Sequence, residues 1–210
     1  MLDRARRIAI SERVSRVALS PGRILLQRQL RQETNDEREF AEAVQALGGL
    51  EGFGEETITE MAATPFHSPS PGRYSDGSYG VLYAARGHRT ACREIAHSQR
   101  QYYNPESGKP LCIHYPVLSW MLNGDAKDVR RFVRDAPWLI ADDHTQCRTL
   151  GAQARAEGLA CLIAPSARHR PKGVTVPVFL QAAVSDGQID GEVTLWFSSD
   201  APTRYRTKLN

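Results

Sequence analysis

The chain has no C-x-x-C pair. Its four cysteines, Cys92, Cys112, Cys147 and Cys161, stand far apart, which excludes a compact disulfide framework and predicts reduced, packing thiols. The six histidines are scattered as well. None pairs with another His or Cys at the spacing that brings ligands onto one helical face, so no metal is expected. No window approaches the run of about 18 apolar residues that a membrane helix needs, and the N-terminus lacks the apolar stretch of a signal peptide. The expectation is a cytoplasmic protein with no membrane partner, and export by a specialised secretion machine stays open. There is no internal repeat, no Gly-x-Gly-x-x-Gly, no Gly-x-x-x-x-Gly-Lys and no nucleophile elbow. A dinucleotide-binding fold of the Rossmann type, a P-loop and Ser-His-Asp hydrolysis therefore find no support.

With 210 residues, the chain can bury one substantial core, and a second independent domain would be cramped. Hydrophobic residues at 41% and charged residues at 24% match ordinary globular usage and exclude wholesale disorder. The net charge of +3 is mildly basic, with Arg4, Arg6, Arg7, Arg13, Arg16, Arg23 and Arg28 crowded at the start. No aromatic interleaves with them. A solvated helix face or a docking surface for an acidic partner is the better reading of this segment than a nucleic-acid face.

Along the chain, Ile8, Ser11, Ser15 and Ala18 fall on one side of a weakly amphipathic pattern that predicts a helix over Ala5 to Leu19, ended by Pro21. Asn35 opens a better helix with Phe40, Val44 and Leu47 at i, i+4 and i+7, stopped by Gly48-Gly49. Residues 1–50 therefore read as a helical extension. Leu50 to Asp76 is rich in Gly, Pro, Ser and Thr and predicts loop. Ser75-Asp76-Gly77 predicts a turn, Tyr79 to Ala85 a buried strand, and Ala91 to Tyr103 a helix capped by Thr90. On that helix Glu94 shares a face with Ala91, Ile95, Ser98 and Tyr102. A carboxylate so placed must be paired, protonated or aimed at a ligand, and an ion pair with an arginine is the plainer alternative.

Asp125 reads as the cap of a helix carrying Val129, Phe132 and Val133, and a further helix spans His144 to Glu157 with Gly158 just past its end. Leu159 to Ala164 and Val174 to Ala183 read as strands on either side of Pro165-Ser166-Ala167-Arg168 and the basic loop His169 to Gly173. Asp190-Gly191 predicts a hairpin ahead of a strand from Val193 to Phe197. The sum is α+β: one domain, with a mixed or antiparallel central sheet flanked by helices.

Two stretches carry a resemblance. Phe66 to Tyr103, with Gly72-Arg73-Tyr74, the Val-Leu-Tyr-Ala-Ala strand around Tyr83 and Thr90-Ala91-x-x-Glu94, resembles the core of the RES family. Gly151 to Phe179, where helix, glycine and strand deliver Pro165-Ser166-Ala167-Arg168, resembles that family's later block. Together they cover about a third of the chain. The resemblance implies a RES catalytic domain over residues 51–210 with an ADP-ribosyltransferase-like fold. It implies a toxin-type enzyme that cleaves the nicotinamide–ribose bond of NAD as a phosphorylase or glycohydrolase. NAD would be the substrate rather than a resident cofactor, inorganic phosphate a possible co-substrate, and an Xre-like antitoxin the neutralising partner. The alternative is an ADP-ribosyltransferase acting on a protein or nucleic acid, a secreted effector with an immunity protein. A non-catalytic module that keeps only a binding pocket is a third reading. Whether the chain forms a homo- or hetero-oligomer stays open.

By the same resemblance the catalytic residues are Arg73, Tyr83 and Glu94, and the substrate-binding residues are Ser166, Arg168, Tyr74 and His67. The chemistry suits these types. An arginine fork holds a pyrophosphate or ribose through charge-assisted bonds, Tyr83 offers a ring to stack on nicotinamide, and a fixed carboxylate stabilises positive charge developing on the ribose. Many RES proteins place an arginine just after an aromatic upstream of the Gly-Arg segment, where this chain has His67 after Phe66. Either Arg73 takes that role, or His67 contributes to ribose binding.

Overall fold

The computed structural model describes residues 1–18, 55–100, 111–197 and 204–209, with six single positions between 33 and 43. The described elements are strand β1 (Arg7–Val17), helix α1 (Glu55–His67), strand β2 (Leu82–Ala85), helix α2 (His88–Arg100), strand β3 (Leu111–Asp128), helix α3 (Thr145–Ala156), and strands β4 (Cys161–Pro165), β5 (Val174–Val178), β6 (Val184–Phe197) and β7 (Arg204–Leu209). Seven strands form one sheet in the order β1-β2-β5-β4-β3-β6-β7, and β1 pairs with β3 as well. That extra pairing closes β1, β2, β5, β4 and β3 into a ring, from which β6 and β7 extend. Only β3 and β4 run parallel; the other pairs are antiparallel. The chain is thus α+β, a single domain with a mixed sheet and three helices.

β3 holds this arrangement together. One edge pairs with β1 from Val117 to Lys127; the other pairs with β6 from Leu111 to Leu122 and then with β4 from Ala126 to Asp128. Nothing in the periodicity singles this strand out. Ile113, Tyr115 and Val117 enter one core cluster while Leu118, Trp120 and Leu122 enter others, so both faces are buried and no polar alternation marks it. Pro116 lies just outside the stretch paired with β1, where its missing N–H costs the ladder least.

Several expected elements are corrected. The helix expected over Ala5 to Leu19 is instead β1. Ile8, Ile10 and Val14 alternate toward one core cluster while Val17 joins another, so the two-residue period outweighs a weak helical one. The expected loop from Leu50 to Asp76 contains α1. Ile58 and Ala62 are buried one turn apart, two acidic residues open the helix, and Pro65 falls in its last turn, where it disrupts little. Asp125 caps no helix. It lies within β3 and pairs with Arg7 at 2.8 Å. The helix expected after it shrinks to a 3-10 turn, Arg130–Phe132, because the Asp128 carboxylate captures the Arg130 backbone N–H and guanidinium.

Asp190-Gly191 makes no hairpin. Gly191 pairs with Val117 and Ile189 with Leu118, which leaves Asp190 as the extra residue of a bulge within β6. The expected strand from Val174 to Ala183 stops at Val178, and a 3-10 turn covers Gln181–Ala183. β2 is shorter than expected, and Thr90 sits inside the first turn of α2 rather than at its cap. By contrast α3 lies where the sequence puts it, with Gly158 at φ +69° closing its end. Of the helix expected from Asn35, Arg38, Glu39, Glu42 and Ala43 are helical, and Phe40, Val44 and Leu47 lie outside the described residues, as does the stretch after Arg100 that the α2 pattern includes.

The segment between α1 and β2 is clamped from three sides. The Tyr83 hydroxyl accepts the backbone N–H of Tyr74 at 2.9 Å, and the Tyr79 hydroxyl donates to the Tyr74 carbonyl at 2.6 Å. Arg148 on α3 donates from Nε to the Gly72 carbonyl at 3.0 Å. Gly151, one helical turn further along α3, lies so close that an added Cβ would stand 2.0 Å from the Tyr74 carbonyl oxygen. The segment therefore rides directly on the helix.

Two measurements check this clamp. Gly151→Ala raises intrinsic helix propensity by about 1 kcal/mol, yet the clash with Tyr74 makes the net effect a loss of about 1–3 kcal/mol, read as a lower midpoint of chemical denaturation. An unchanged or higher midpoint would show that the segment gives way freely. Tyr83→Phe strands the Tyr74 N–H and lowers stability by about 1–3 kcal/mol; a neutral result in the same experiment would mean the bond is dispensable.

Candidate functional site

Ser166 follows β4 directly, is 2% exposed, and uses its whole hydrogen-bonding capacity. Its hydroxyl donates to Glu94 Oε1 at 2.5 Å and accepts the backbone N–H groups of His169 at 2.9 Å and Arg168 at 3.2 Å. One donor and two lone pairs are all that a serine hydroxyl has. The backbone closes the same loop, since Ser166 N–H donates to the Gly173 carbonyl at 2.9 Å and Gly173 N–H to the His169 carbonyl at 2.6 Å. His169 is tied back to α2 by Thr90, whose Oγ lies 2.9 Å from Nδ1. The basic loop is thereby folded onto the helix that bears Glu94.

Glu94 is half-buried, beside rather than within the apolar face formed by Cys92, Ala96 and Gln99. Ser98, expected on its face, is exposed. The ion pair weighed for Glu94 is not formed among the described residues; its partner is Ser166. Among the described residues only Oε1 is engaged there.

Arg73 donates from Nη1 to the Ala141 carbonyl at 2.6 Å. Arg168 donates from Nη2 to Asp142 Oδ1 at 2.7 Å. Arg168, Glu94, Asp142 and Arg73 all bear on the His97 imidazole. Burial, reinforced by Arg168, lowers the pKa of His97; burial, reinforced by Arg73, Arg148 and Arg168, lowers that of His144. Both rings are neutral at pH 7. Burial pushes the Tyr83 hydroxyl up to about 12, so it remains a phenol while it accepts the Tyr74 N–H.

Arg73, Tyr83, Glu94 and the turn of Ser166 and Arg168 come from four places in the chain, and hydrogen bonds join Tyr83 to Tyr74 beside Arg73 and Glu94 to Ser166. Two expected residues stand apart. The Tyr74 ring is 1% exposed and packs in the core with Leu139, Leu150 and Phe179; its backbone, not its ring, serves the site. His67 ends α1 as an exposed residue, and among the described residues no hydrogen bond or ion pair joins it to the others. Asp142, His97, His144, His169 and Arg148 border the site and were not singled out by sequence. For Arg148 and His144 the signal was present, four residues apart at the start of a correctly placed helix, but nothing there distinguishes them from solvated polar residues.

A carboxylate fixed by a serine hydroxyl, in a domain where Arg73 and Arg168 are held by Ala141 and Asp142, suits a ligand that is anionic at one end and develops positive charge at the other. Among the described residues no group of three or more His, Cys, Asp or Glu side chains stands close enough to hold a metal ion. All four cysteines are free and buried, and burial pushes the thiols of Cys92 and Cys161 up to about 12, which makes them poor nucleophiles. Among the described residues no helix is long and apolar enough to cross a membrane.

No curated protein matches the chain. The family model of the RES domain matches residues 54–198, a span that contains α1 through β6 and every candidate residue above. Because that match covers most of the chain, the protein belongs to the RES domain family, a family of toxins.

Proposed function

We propose that this protein is a toxin enzyme that breaks the nicotinamide–ribose bond of NAD and is neutralised by a cognate Xre-like antitoxin. The observation that carries the reading is the Ser166–Glu94 hydrogen bond, which fixes a carboxylate against the turn that bears Arg168 within a RES domain. Arg73 and Arg168 bind the pyrophosphate of NAD. Ser166 orients Glu94, and Tyr83 fixes the segment that carries Arg73. As the C–N bond breaks, nicotinamide leaves with the bonding electron pair, and the positive charge passes from its ring to the ribose. The Glu94 carboxylate stabilises that charge more than it stabilises the ground state, which is the condition for lowering the barrier. Water or phosphate then forms the new bond at the anomeric carbon from its own lone pair, and attacking water gives up its extra proton to solvent.

The test is nicotinamide release from NAD by the purified chain, with and without inorganic phosphate. Release accelerated by phosphate supports a phosphorylase; release indifferent to it supports hydrolysis. No release in either condition would overturn the proposal, and ADP-ribose found attached to a protein or nucleic acid would replace it with a transferase.

Glu94→Gln keeps the shape and removes the charge. It lowers kcat by about 10²- to 10³-fold, while NAD affinity measured by calorimetry changes far less. Equal losses in rate and affinity would argue for a binding role alone. Ser166→Ala behaves differently, because it frees both Glu94 and the loop of Arg168: kcat falls by about 10- to 100-fold, and NAD affinity falls with it. In cells, induced expression of the wild-type chain lowers NAD and stops growth, and Glu94→Gln does neither; growth arrest by both would separate toxicity from this chemistry.

A further inference from the structure

Three consecutive residues, Ile140, Ala141 and Asp142, are each held by an arginine from elsewhere in the chain. Arg170 donates to the Ile140 carbonyl at 3.0 Å, Arg73 to the Ala141 carbonyl at 2.6 Å, and Arg168 to the Asp142 carboxylate at 2.7 Å. The third contact differs in kind. The carbonyls orient their guanidinium groups without neutralising them, whereas Asp142 sets an anion on Arg168. The pair is also lopsided, with the Arg168 side chain 22% exposed and that of Asp142 84% exposed. A largely solvated carboxylate has thus reached inward to a largely covered cation. The hydrogen bond to Arg168, with the charge of that guanidinium, lowers the pKa of the Asp142 carboxylate.

We infer that Asp142 is an internal competitor for the diphosphate subsite: its carboxylate occupies Arg168 in the free protein and is displaced when a nucleoside diphosphate binds. The inference rests on the proposed NAD site only in placing a diphosphate at Arg168. A ligand that must displace such a contact has its affinity reduced by the fraction of molecules in which the contact is open. Asp142 therefore sets the affinity of the site without contributing to the chemistry, and substituting it makes binding tighter rather than weaker.

The probe is ADP, which carries the diphosphate and cannot be turned over at a nicotinamide bond, titrated calorimetrically into the full chain. D142N and D142A are expected to bind ADP about two- to fivefold more tightly than the wild type, the range set by an exposed ion pair. In an Arg168→Ala background, where the competed cation is absent, D142N is expected to change ADP affinity no further. Asp142 is exposed, so both variants fold; matching denaturation midpoints check this. Unchanged or weaker ADP binding in D142N overturns the inference, as does an equal gain in the Arg168→Ala background, which would reflect bulk charge. Nicotinamide release measured on the same proteins separates the two readings. Release with unaltered ADP affinity in D142N removes the competitor alone, and tighter ADP binding without release removes the NAD cleavage alone.

Discussion

The Ser166 hydroxyl joins the loop after β4 to the helix that bears Glu94. It takes two backbone N–H groups of the loop after β4 and gives its proton to a carboxylate on α2. Each of these groups is at least partly shielded from water, where an unsatisfied donor or an unsolvated carboxylate would cost more than the bond returns in water. The direction of the hydroxyl is therefore determined: with both lone pairs filled by N–H donors, its proton can go only to Glu94. A threonine could supply the same bonds, but its extra methyl would have to fit a position that is 2% exposed, where an added Cβ on Gly173 would already lie 2.8 Å from the Ser166 side chain.

This local device works because the sheet delivers its parts to one place. β3 exchanges β6 for β4 along one edge while keeping β1 on the other, and this exchange lets five strands close on themselves. β4 then runs parallel to the end of β3 and releases the chain at Pro165, immediately before Ser166. β2 reaches the same neighbourhood through β5, bringing Tyr83 and, through its hydroxyl, the Gly72 to Tyr74 segment. α3 supports that segment from beneath at Gly151. Positioning is thus carried by strand ends and one helix face, and loops contribute only where they are bonded at several points.

The parts of this that the sequence reveals are those with short-range causes. α3 is legible because its glycine stop and apolar face lie within one window, and β2 and β4 because they are compact apolar runs. The joint spacing of Arg73, Tyr83, Glu94 and Ser166 is legible only through its resemblance to the RES family. What escapes the sequence depends on contacts far along the chain. β1 carries too few apolar residues to declare a period, and its pairing partner lies about a hundred residues away. β3 is buried on both faces, so it has no polar side to contrast. Asp190-Gly191 has the composition of a turn, and only its pairing with Ser119 and Val117 makes it a bulge. The inward Tyr74 ring and the stray His67 have the same origin: adjacent positions in a motif need not point to the same place.

The arrangement of charge follows from the geometry of acceptors. Backbone carbonyls bonded to Arg73 and Arg170 hold the planar guanidinium groups in place at little cost to their net charge, because a carbonyl is a dipole rather than an ion. A carboxylate in either position would fix the group as firmly and also cancel its field. At Arg168 the acceptor is an ion instead, and because the Asp142 side chain is 84% exposed, water screens the pair and keeps it weak. The guanidinium groups of Arg73 and Arg170 are thus oriented by dipoles, whereas that of Arg168 is paired with an ion that lies largely in solvent.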